Sequence, residues 1–392
     1  MKKITIIDSV SSRHYHEIFN SILLIECLTI SDKITYYSSD SAQKALKYII
    51  DDKILHNVSF KTIPVVARNS KLRSVLHYML GVFICCFLLF KIKKDTIAFY
   101  NNVNPFSLSF INFFNKFLKR NVAMFCHGEL EWCFGEERNP GILEKMCAKS
   151  LNNFFTSNNT RLSDDIMFLV LGDNIKNNLK KHISSDIYNK LYSIDHPNLE
   201  INKSLPKINK KNKTPLNIGL VGSVRKTKGG TFDFISLAKI LSQELLNEKL
   251  KLSVVGSVNV YQEELKSAGV NIPEGFLSRE EYGEKIAELD YILFVYGKDS
   301  YKYIASGALF EALLAEKPII ALKNDYFEYI FKKYGEFGIL LDSIDEMAEL
   351  IKKLIAGEKL PDFNFKSIKE KLSIENQAQQ LKLIFEKEGF LK

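Results

Sequence analysis

Glu311 lies in the segment whose residue types and spacing most clearly suggest chemistry. In a helix over 306–316, Gly307 and Glu311 fall one turn apart on a face of small side chains. Small residues let a ligand approach the backbone, and the unpaired N–H groups of the first turn, from Ser306 to Ala308, attract phosphate. A carboxylate one turn further along could accept two hydrogen bonds from a ribose diol. The alternative interpretation is an exposed helical glutamate that follows a serine N-cap.

A basic loop follows the apolar strand that ends at Gly222. Ser223, Arg225 and Lys228 lie in this loop, and a pair of glycines then leads into a helix. Arginine and lysine at the carboxyl end of a strand can neutralise a diphosphate leaving group, where negative charge builds up as a glycosidic bond breaks. The alternative is a solvated basic loop, which runs of charge usually are.

A histidine and a glycine end an apolar strand in the first half of the chain. His127 and Gly128 follow the predicted strand 121–126, at the edge of the sheet where α/β sites are built. A lone histidine in a strand is more often a hydrogen-bonded core residue, but this one is terminal and precedes a glycine. Glu129 and Glu131 could orient an acceptor hydroxyl beside it.

Two further strand ends carry candidate side chains. Arg13 and His14 lie in the loop after the first strand, and His196 follows the predicted strand 191–195. Loops at strand ends often hold functional residues, although a loop without a function is the alternative at both places.

The sequence argues against several other kinds of site. No Asp-x-Asp pair at a strand end suggests a divalent cation, no His/Cys set has zinc spacing, and P-loop and Gly-x-Ser-x-Gly motifs are missing. The formal charge of +8 is spread along 392 residues, which argues against a nucleic-acid partner and fits an anionic small ligand or an acidic membrane surface. We therefore expect neither a metal nor a resident cofactor.

One apolar run raises the question of a membrane. Residues 79–90 are wholly apolar, but 12 residues fall short of the ~20 that span a bilayer. We expect a buried core or interdomain helix, with a face resting on the membrane as the alternative. The six cysteines show no metal-ligand pairing, and the N-terminus enters an apolar strand at once. Both features predict a cytoplasmic protein with reduced thiols.

Apolar strands alternate with helical stretches along both halves, which predicts parallel sheets covered by helices. The predicted strands are 3–8, 33–38, 58–66, 96–100, 121–126, 167–171, 191–195, 216–222, 250–255, a short one near 270, 291–295 and 318–322. The predicted helices between them are 16–28, 41–51, 70–92, 105–118, one before 167, 173–183, 231–247, 260–267, 279–288, 306–316, 325–333 and 345–356. The polar, basic stretch 202–215 contains two prolines and predicts an exposed connector. The predicted organisation is thus an N-terminal acceptor-side domain over 1–201, a linker over 202–215, a C-terminal nucleotide-sugar domain over 216–372 and a final helix over 373–392.

The segment 306–321, S-G-A-L-x-E-A-L-L-A-x-K-P-I-I-A, resembles the donor-binding stretch of the retaining GT-B glycosyltransferases grouped as family four. The resemblance implies that Glu311 contacts the nucleotide ribose, as the second glutamate of an E-x7-E pattern does in that family. Tyr303 stands in place of the first glutamate, which the family ties to the transferred sugar. It also implies that His127 touches the donor sugar near the reacting carbon.

The loop over 219–230 resembles the family's G-R-x-x-x-x-K-G phosphate grip. Lys228 matches the lysine, Ser223 replaces the arginine that follows the glycine, and Arg225 is a candidate substitute for that arginine.

The loop over 274–281 is similar to the family's G-x-x-s-x-e-e-l loop, whose backbone reads the nucleobase edge. Phe276, Leu277 and Ser278 would do so here. A capping box between Ser278 and Glu281 is the alternative explanation of the same residues.

Taken together, the resemblance implies an α/β protein of the GT-B type: two Rossmann-like doubly wound domains facing across a cleft, with a C-terminal helix crossing the junction. It implies a metal-independent, retaining hexosyltransferase whose donor substrate is a UDP- or GDP-linked sugar. The acceptor would be a glycan or a lipid-linked glycan of surface polysaccharide synthesis, with peripheral contact at the inner face of the membrane. The alternatives are a nucleotide-sugar 2-epimerase on the same fold and an inactive, membrane-associated binding or scaffold relative.

Overall fold

A computed structural model shows two parallel α/β sheets, one in each half of the chain. It describes residues 3–12, 16–135, 141–158, 160–196, 215–224, 230–275 and 277–391. The predicted connector 202–215 lies outside this part of the chain except for its last residue.

The first sheet is built from the strands β1 (Lys3–Ile7), β2 (Ile34–Ser38), β3 (Val58–Thr62), β4 (Thr96–Tyr100), β5 (Val122–Phe125), β6 (Ile166–Val170) and β7 (Leu191–Ser193). All are parallel, in the order β3-β2-β1-β4-β5-β6-β7. The strands β4, β5 and β6 are buried along their whole length, as expected where helices cover both faces of a parallel sheet. The strand order reverses between β1 and β4, which is where α/β proteins form their sites.

The helices of this half are α1 (Glu17–Ile30), α2 (Asp40–Ile49), α3 (Asp52–Leu55), α4 (Lys71–Lys91), α5 (Leu108–Leu118), α6 (Glu129–Phe134), α7 (Ile142–Thr156), α8 (Asp173–Leu179) and α9 (Ser185–Asn189). Side-chain caps fix several of their starts. Ser39 accepts a hydrogen bond from the amide of Ala42, and Ser70 accepts one from the amide of Arg73.

The second sheet consists of β8 (Leu216–Val221), β9 (Leu250–Val255), β10 (Tyr291–Phe294), β11 (Ile319–Leu322) and β12 (Gly338–Leu341). These strands are also parallel, in the order β12-β11-β10-β8-β9, so the order reverses between β8 and β10. The helices of this half are α10 (Thr231–Ile240), α11 (Ser242–Leu246), α12 (Gln262–Ser267), α13 (Arg279–Glu288), α14 (Gly307–Leu314), α15 (Asp325–Tyr334), α16 (Ile344–Ile355), α17 (Phe365–Lys371) and α18 (Ile374–Lys387).

Helix α18 returns from the second half of the chain and packs on α1 of the first. The ring of Phe385 lies 5.8 Å from that of Phe99, a residue of β4, and both side chains are fully buried. Beyond the end of α18, Glu388 accepts a hydrogen bond from Lys190 at 2.6 Å and another from Tyr192. The chain therefore passes between the two halves twice.

A polar network joins the two halves on the side of α15. The carboxylate of Asp195 is 2% exposed and follows β7. It accepts hydrogen bonds from Tyr329 at 2.7 Å, from Lys333 at 2.6 Å and from Tyr334. Because a buried carboxylate is costly unless it is paired, this network favours one relative placement of the two sheets.

The predicted alternation and the two parallel sheets are confirmed, and a few elements were predicted wrongly. The strand near 270 is only an isolated bridge between Ser253 and Asn271. The edge strand β12 and the short helices α3, α9 and α17 were not predicted. The predicted helix 231–247 divides at Leu241, where the chain leaves helical geometry between α10 and α11.

Candidate functional site

A cleft of about 1060 Å³ lies between the two halves. Its lining comes from residues that follow the carboxyl ends of strands in both sheets: Val10 after β1, Val103 after β4, His127 after β5, Gly222 after β8 and Tyr296 after β10. Two facing parallel sheets place their ligand crevice at these edges. The volume is at the upper end of the range for cavities that enclose a small molecule.

Glu311 faces this cleft from the second turn of α14 and is held by two side chains of α13. Arg279 Nη1 donates to Glu311 Oε1 at 3.0 Å, and the hydroxyl of Tyr282 donates to Oε2. The Glu311 side chain is 20% exposed. Since a carboxylate offers about four acceptor positions, these two bonds fix its orientation and leave others for a ligand.

The first turn of α14 presents its backbone to the same cleft. Gly307 and Ala308 line it, and a Cβ atom added at Gly307 would meet nothing within 4 Å. Ser306, the N-cap residue, is 2% exposed, and its hydroxyl has no hydrogen-bond partner in the described part of the chain. A small first residue and unpaired amides are features that suit a phosphate at a helix N-terminus, whereas Ser306 itself lies behind the cleft lining.

Gly222 and Ser223 line the cleft at the end of β8. Gly222 has a φ of 112°, which favours glycine, and a Cβ added at Gly256 would lie 1.9 Å from the Gly222 carbonyl oxygen. The backbones of the two loops therefore approach closely here. Arg225 and Lys228, which follow in the sequence, lie outside the described residues.

The predicted nucleobase loop is only partly described. Phe276 lies outside the described residues, whereas Leu277 lines a separate cavity of about 280 Å³ together with Pro273. Ser278 caps α13: its hydroxyl accepts from the Glu281 amide at 3.2 Å, and Glu281 accepts from the Ser278 amide at 2.7 Å. The structure thus shows the capping box, and neither Leu277 nor Ser278 is part of the main cleft lining.

His127 lies in the cleft wall and is 8% exposed. Its Nε2 lies 2.8 Å from the carbonyl oxygen of Asn101, which can only accept, so Nε2 carries the proton. The ring also meets Phe19 at a centroid distance of 4.2 Å. Burial, followed by repulsion from His16, lowers the pKa of His127 well below its usual range. The imidazole is therefore neutral near pH 7, with its Nε2 proton already used.

Glu129 follows His127 and Gly128 at the start of α6 and also lines the cleft. Its Oε2 accepts a hydrogen bond from the His127 amide at 2.7 Å. Burial raises the pKa of Glu129 to about 7, against the lowering effect of the nearby amides and of Arg68. This carboxyl group changes charge near neutrality. Gly128 brings the loop close to the other domain, because a Cβ there would lie 3.0 Å from the Ile304 side chain.

Tyr303, which stands in place of the family's first glutamate, directs its hydroxyl to a histidine of the first domain. It makes a 2.9 Å hydrogen bond with His182 Nε2, and the residue is 5% exposed. The backbone amide of Tyr303 donates to Glu131 Oε2 at 3.2 Å. Glu131 of the first domain thus lies beside Tyr303, at the position where the family resemblance implies a glutamate of the second domain.

His196 lines the cleft and contacts the other half of the protein. Its ring stacks on Phe310 of α14 at a centroid distance of 4.5 Å. His16, which also lines the cleft, has its pKa lowered to about 4 by burial, with repulsion from Arg68 and His196 adding to the effect. Arg13 and His14 lie outside the described residues.

No protein-family model and no curated protein sequence matches this chain. Solved structures match it over almost its whole length. The apo form of the lipopolysaccharide outer core galactosyltransferase WaaB is 16% identical with a TM-score of 0.57, covering 98% of this chain and 99% of that one. A variant of S. aureus TarM, in complex with fondaparinux, α-GlcNAc-glycerol and UDP, is 14% identical with a TM-score of 0.59, covering 98% and 100%. A trehalose-6-phosphate structure from E. coli, bound with UDP-2-fluoro glucose, is 9% identical with a TM-score of 0.59, covering 100% and 99%.

This chain has the GT-B fold. At these identities the shared feature is the GT-B architecture of two facing Rossmann-like domains, matched from end to end. The residues that the sequence predicted and that the GT-B cleft brings together are His127, Gly128, Glu129, Glu131, His196, Gly222, Ser223, Tyr303, Gly307, Ala308 and Glu311.

The residues that sequence reasoning missed include two of the cleft lining, Arg279 and Tyr282, and one buried residue outside that lining, Asp8. Arg279 and Tyr282 hold Glu311, and their i, i+3 spacing on a helix could have revealed that they share a face. Asp8 is fully buried at the end of β1, where its Oδ1 accepts from the amides of Val10 at 3.2 Å and Ser11 at 2.8 Å. It thereby shapes the loop that reaches the cleft.

Within the described residues, no group of three or more His, Cys, Asp or Glu side chains is placed to hold a metal ion. The six cysteines are free thiols, and four of them are buried.

Proposed function

We propose that this chain is a glycosyltransferase that moves a sugar from a nucleotide-diphosphate donor, UDP- or GDP-linked, to a glycan or lipid-linked acceptor. We place it in the cytoplasm and in surface polysaccharide synthesis. The support is a GT-B cleft whose second-domain wall offers a fixed carboxylate and an open helix N-terminus, opposite a neutral histidine of the first domain. WaaB is itself a galactosyltransferase, and the TarM variant was solved with UDP.

The observation that carries the proposal is the arrangement on α14. Glu311 is oriented by Arg279 and Tyr282, and Gly307 lies one turn before it with open space above its backbone. A ribose diol on the free acceptor positions of Glu311 places the attached diphosphate toward the amides of Gly307 and Ala308. Arg225 and Lys228 are proposed to add the positive charge that a diphosphate requires.

The proposed reaction needs little acid or base from the protein. The acceptor oxygen bonds to the anomeric carbon as the bond from that carbon to the diphosphate oxygen breaks, and the acceptor proton passes to the departing phosphate. Configuration is retained if both events occur on one face of the sugar. The protein then contributes mainly by stabilising the charge that develops on the diphosphate.

His127 suits a positioning role in this scheme. Because its Nε2 proton is donated to Asn101 and its pKa is lowered by burial, it approaches the sugar as a neutral group and not as a competing cation. We further propose that the reaction is metal-independent.

The first test is Glu311→Ala, compared with Glu311→Gln and with wild type. A screen of nucleotide sugars by thermal shift identifies the donor, since a ligand that binds only the folded protein raises its melting temperature. We expect Glu311→Ala to lower kcat/KM for transfer by at least about 100-fold, because two hydrogen bonds to a charged group are worth about 3 kcal/mol or more. The Gln variant, which keeps one acceptor oxygen, should lose less.

The matched control is Glu280→Ala, which removes an exposed carboxylate from α13, next to Arg279 in the sequence. It should transfer sugar as wild type does. Wild-type turnover in Glu311→Ala would contradict the donor assignment. Conversion of the donor without any acceptor would indicate an epimerase, and donor binding without transfer to any acceptor would indicate a binding subunit.

A further inference from the structure

Helix α4 carries a stripe of apolar side chains that the fold leaves exposed. Leu72, Leu76, Met79, Phe83, Phe87 and Phe90 follow one another at spacings of three or four residues, and each is between 45% and 71% exposed. At 1.5 Å per residue the stripe is about 27 Å long. Such spacing places all six on one face of the helix.

The neighbouring helix α5 extends this surface. Phe110, Phe113 and Phe117 repeat the same spacing and are 52%, 56% and 74% exposed. Phe90 of α4 meets Phe114 of α5 at a centroid distance of 5.0 Å, and Phe113 meets both Phe114 and Phe117. The two stripes therefore form one apolar patch, and large exposed patches of this kind mark contact sites for a protein or a membrane.

The opposite face of α4 is part of the domain core. Ile84, Cys85, Leu88 and Leu89 are buried, and the backbone carbonyl of Cys85 accepts a 2.9 Å hydrogen bond from Tyr100 of β4. Among the described helices α4 alone is long and apolar enough to cross a membrane, but this packing fixes it against a sheet. It can lie along a bilayer surface with one face and cannot span the bilayer while the domain is folded.

The charged side chains of the two stretches that carry the patch are all positive, and the first acidic residue, Asp95, follows the end of the first stretch. Residues 71–94 and 105–121 contain no Asp or Glu, and they carry eight cations: Lys71, Arg73, Lys91, Lys93, Lys94, Lys116, Lys119 and Arg120. The Lys91 ammonium lies 4.4 Å from the Phe87 ring centre, at the edge of the apolar stripe. A second copy of the chain would bring the same cations face to face across a two-fold axis, which opposes self-association. An anionic surface is complementary to them.

We propose that the exposed apolar stripes of α4 and α5, with their basic rim, are a docking surface for an anionic lipid bilayer. The aromatic rings would enter the interfacial region while the lysines and arginines meet the headgroups. The surface lies next to the cleft, because Tyr78 on α4 and Pro105 before α5 line the cleft. Taken with the proposed function, on which this step rests, the surface would bring the cleft within reach of an acceptor anchored in the same bilayer.

The test is co-sedimentation of the full chain with vesicles, which requires no donor, acceptor or turnover. Vesicles of phosphatidylcholine mixed with phosphatidylglycerol are compared with pure phosphatidylcholine. We expect at least tenfold tighter binding to the anionic vesicles and a loss of that difference at high salt. Lys91→Glu with Lys94→Glu should reduce anionic binding by roughly tenfold or more.

Phe117→Ser has a matched control in Leu246→Ser, because both side chains are 74% exposed and Leu246 lies in the second domain. Only Phe117→Ser should weaken vesicle binding, while thermal melting of both variants stays near that of wild type. The proposal would be overturned if wild type did not bind vesicles or bound both vesicle types equally. A dimer in solution that Phe117→Ser dissociates would also overturn it. Since vesicle binding is measured without catalysis, its failure leaves the proposed activity intact, and loss of activity leaves this proposal intact.

Discussion

The thermal stability of the protein should depend on pH through Glu129, and the isosteric substitution Glu129→Gln should remove that dependence. Its pKa is raised from 4.5 to about 7 by burial in the cleft wall. The folded protein therefore binds the Glu129 proton more tightly than the unfolded chain does. The resulting stabilisation is complete below pH 4.5, declines as pH rises, and has gone above about pH 7.

The shift of about 2.5 pH units corresponds to at most about 3.4 kcal/mol, at 1.36 kcal/mol per unit. Because Glu129 is partly exposed to cleft water, screening lowers this figure, and we expect about 1–3 kcal/mol. For a domain of this size each kcal/mol changes Tm by about 2–4 °C. Glu129→Gln keeps an oxygen for the His127 amide and has no proton to lose in this range.

The assay is thermal melting of wild type and Glu129→Gln across pH 4.5 to 8. Other groups titrate equally in both proteins, so the difference between the two Tm values isolates Glu129. We expect the wild type to lose several degrees relative to the variant as pH rises. Glu280→Gln, at an exposed carboxylate, should follow wild type throughout. Parallel curves for wild type and Glu129→Gln would refute the reasoning.

Two further predictions follow from the cleft and the junction. Gly307→Val should abolish the donor-induced rise in Tm, because the added side chain enters open space where the phosphate is proposed to lie. The free energy of unfolding of the free protein should change by less than about 1 kcal/mol. An undiminished donor-induced rise in Tm would contradict this prediction. Asp195→Ala should lower the free energy of unfolding, measured by calorimetry, by about 3 kcal/mol. The reason is that the Lys333 charge and two tyrosine hydroxyls at the junction lose this acceptor. Asp299→Ala, at a surface pair with Lys302, should cost no more than about 1 kcal/mol, and equal effects would contradict the prediction.

Local patterns were sufficient to predict most elements of the fold. The prediction of a helix over 70–92 agrees with α4 because Ser70 caps it and its apolar run is uninterrupted. The four residues of β12 escaped prediction because an edge strand this short shows no periodicity. The apparent strand near 270 failed because Asn271 pairs with β9 through a single bridge.

The candidate site was predictable where one short segment held its residues. Glu311 and Gly307 share α14, and a four-residue spacing already placed them on one face. The bonds from Arg279 and Tyr282 to Glu311 join residues about 30 positions apart, so no local pattern could show them. The same holds for Tyr303, whose hydroxyl is directed to His182 by tertiary packing.

The return of α18 onto α1 makes the order of synthesis matter. The amino-terminal half leaves the ribosome first, but α18, which covers part of its apolar surface, is synthesised last. Until α18 arrives, the apolar surface that packs against Phe385, including Phe99, stays uncovered. A premature stop near residue 372 would therefore damage the amino-terminal half more than the carboxyl-terminal half that it shortens. The nascent amino-terminal half, with α1 uncovered, is then the state most in need of a chaperone.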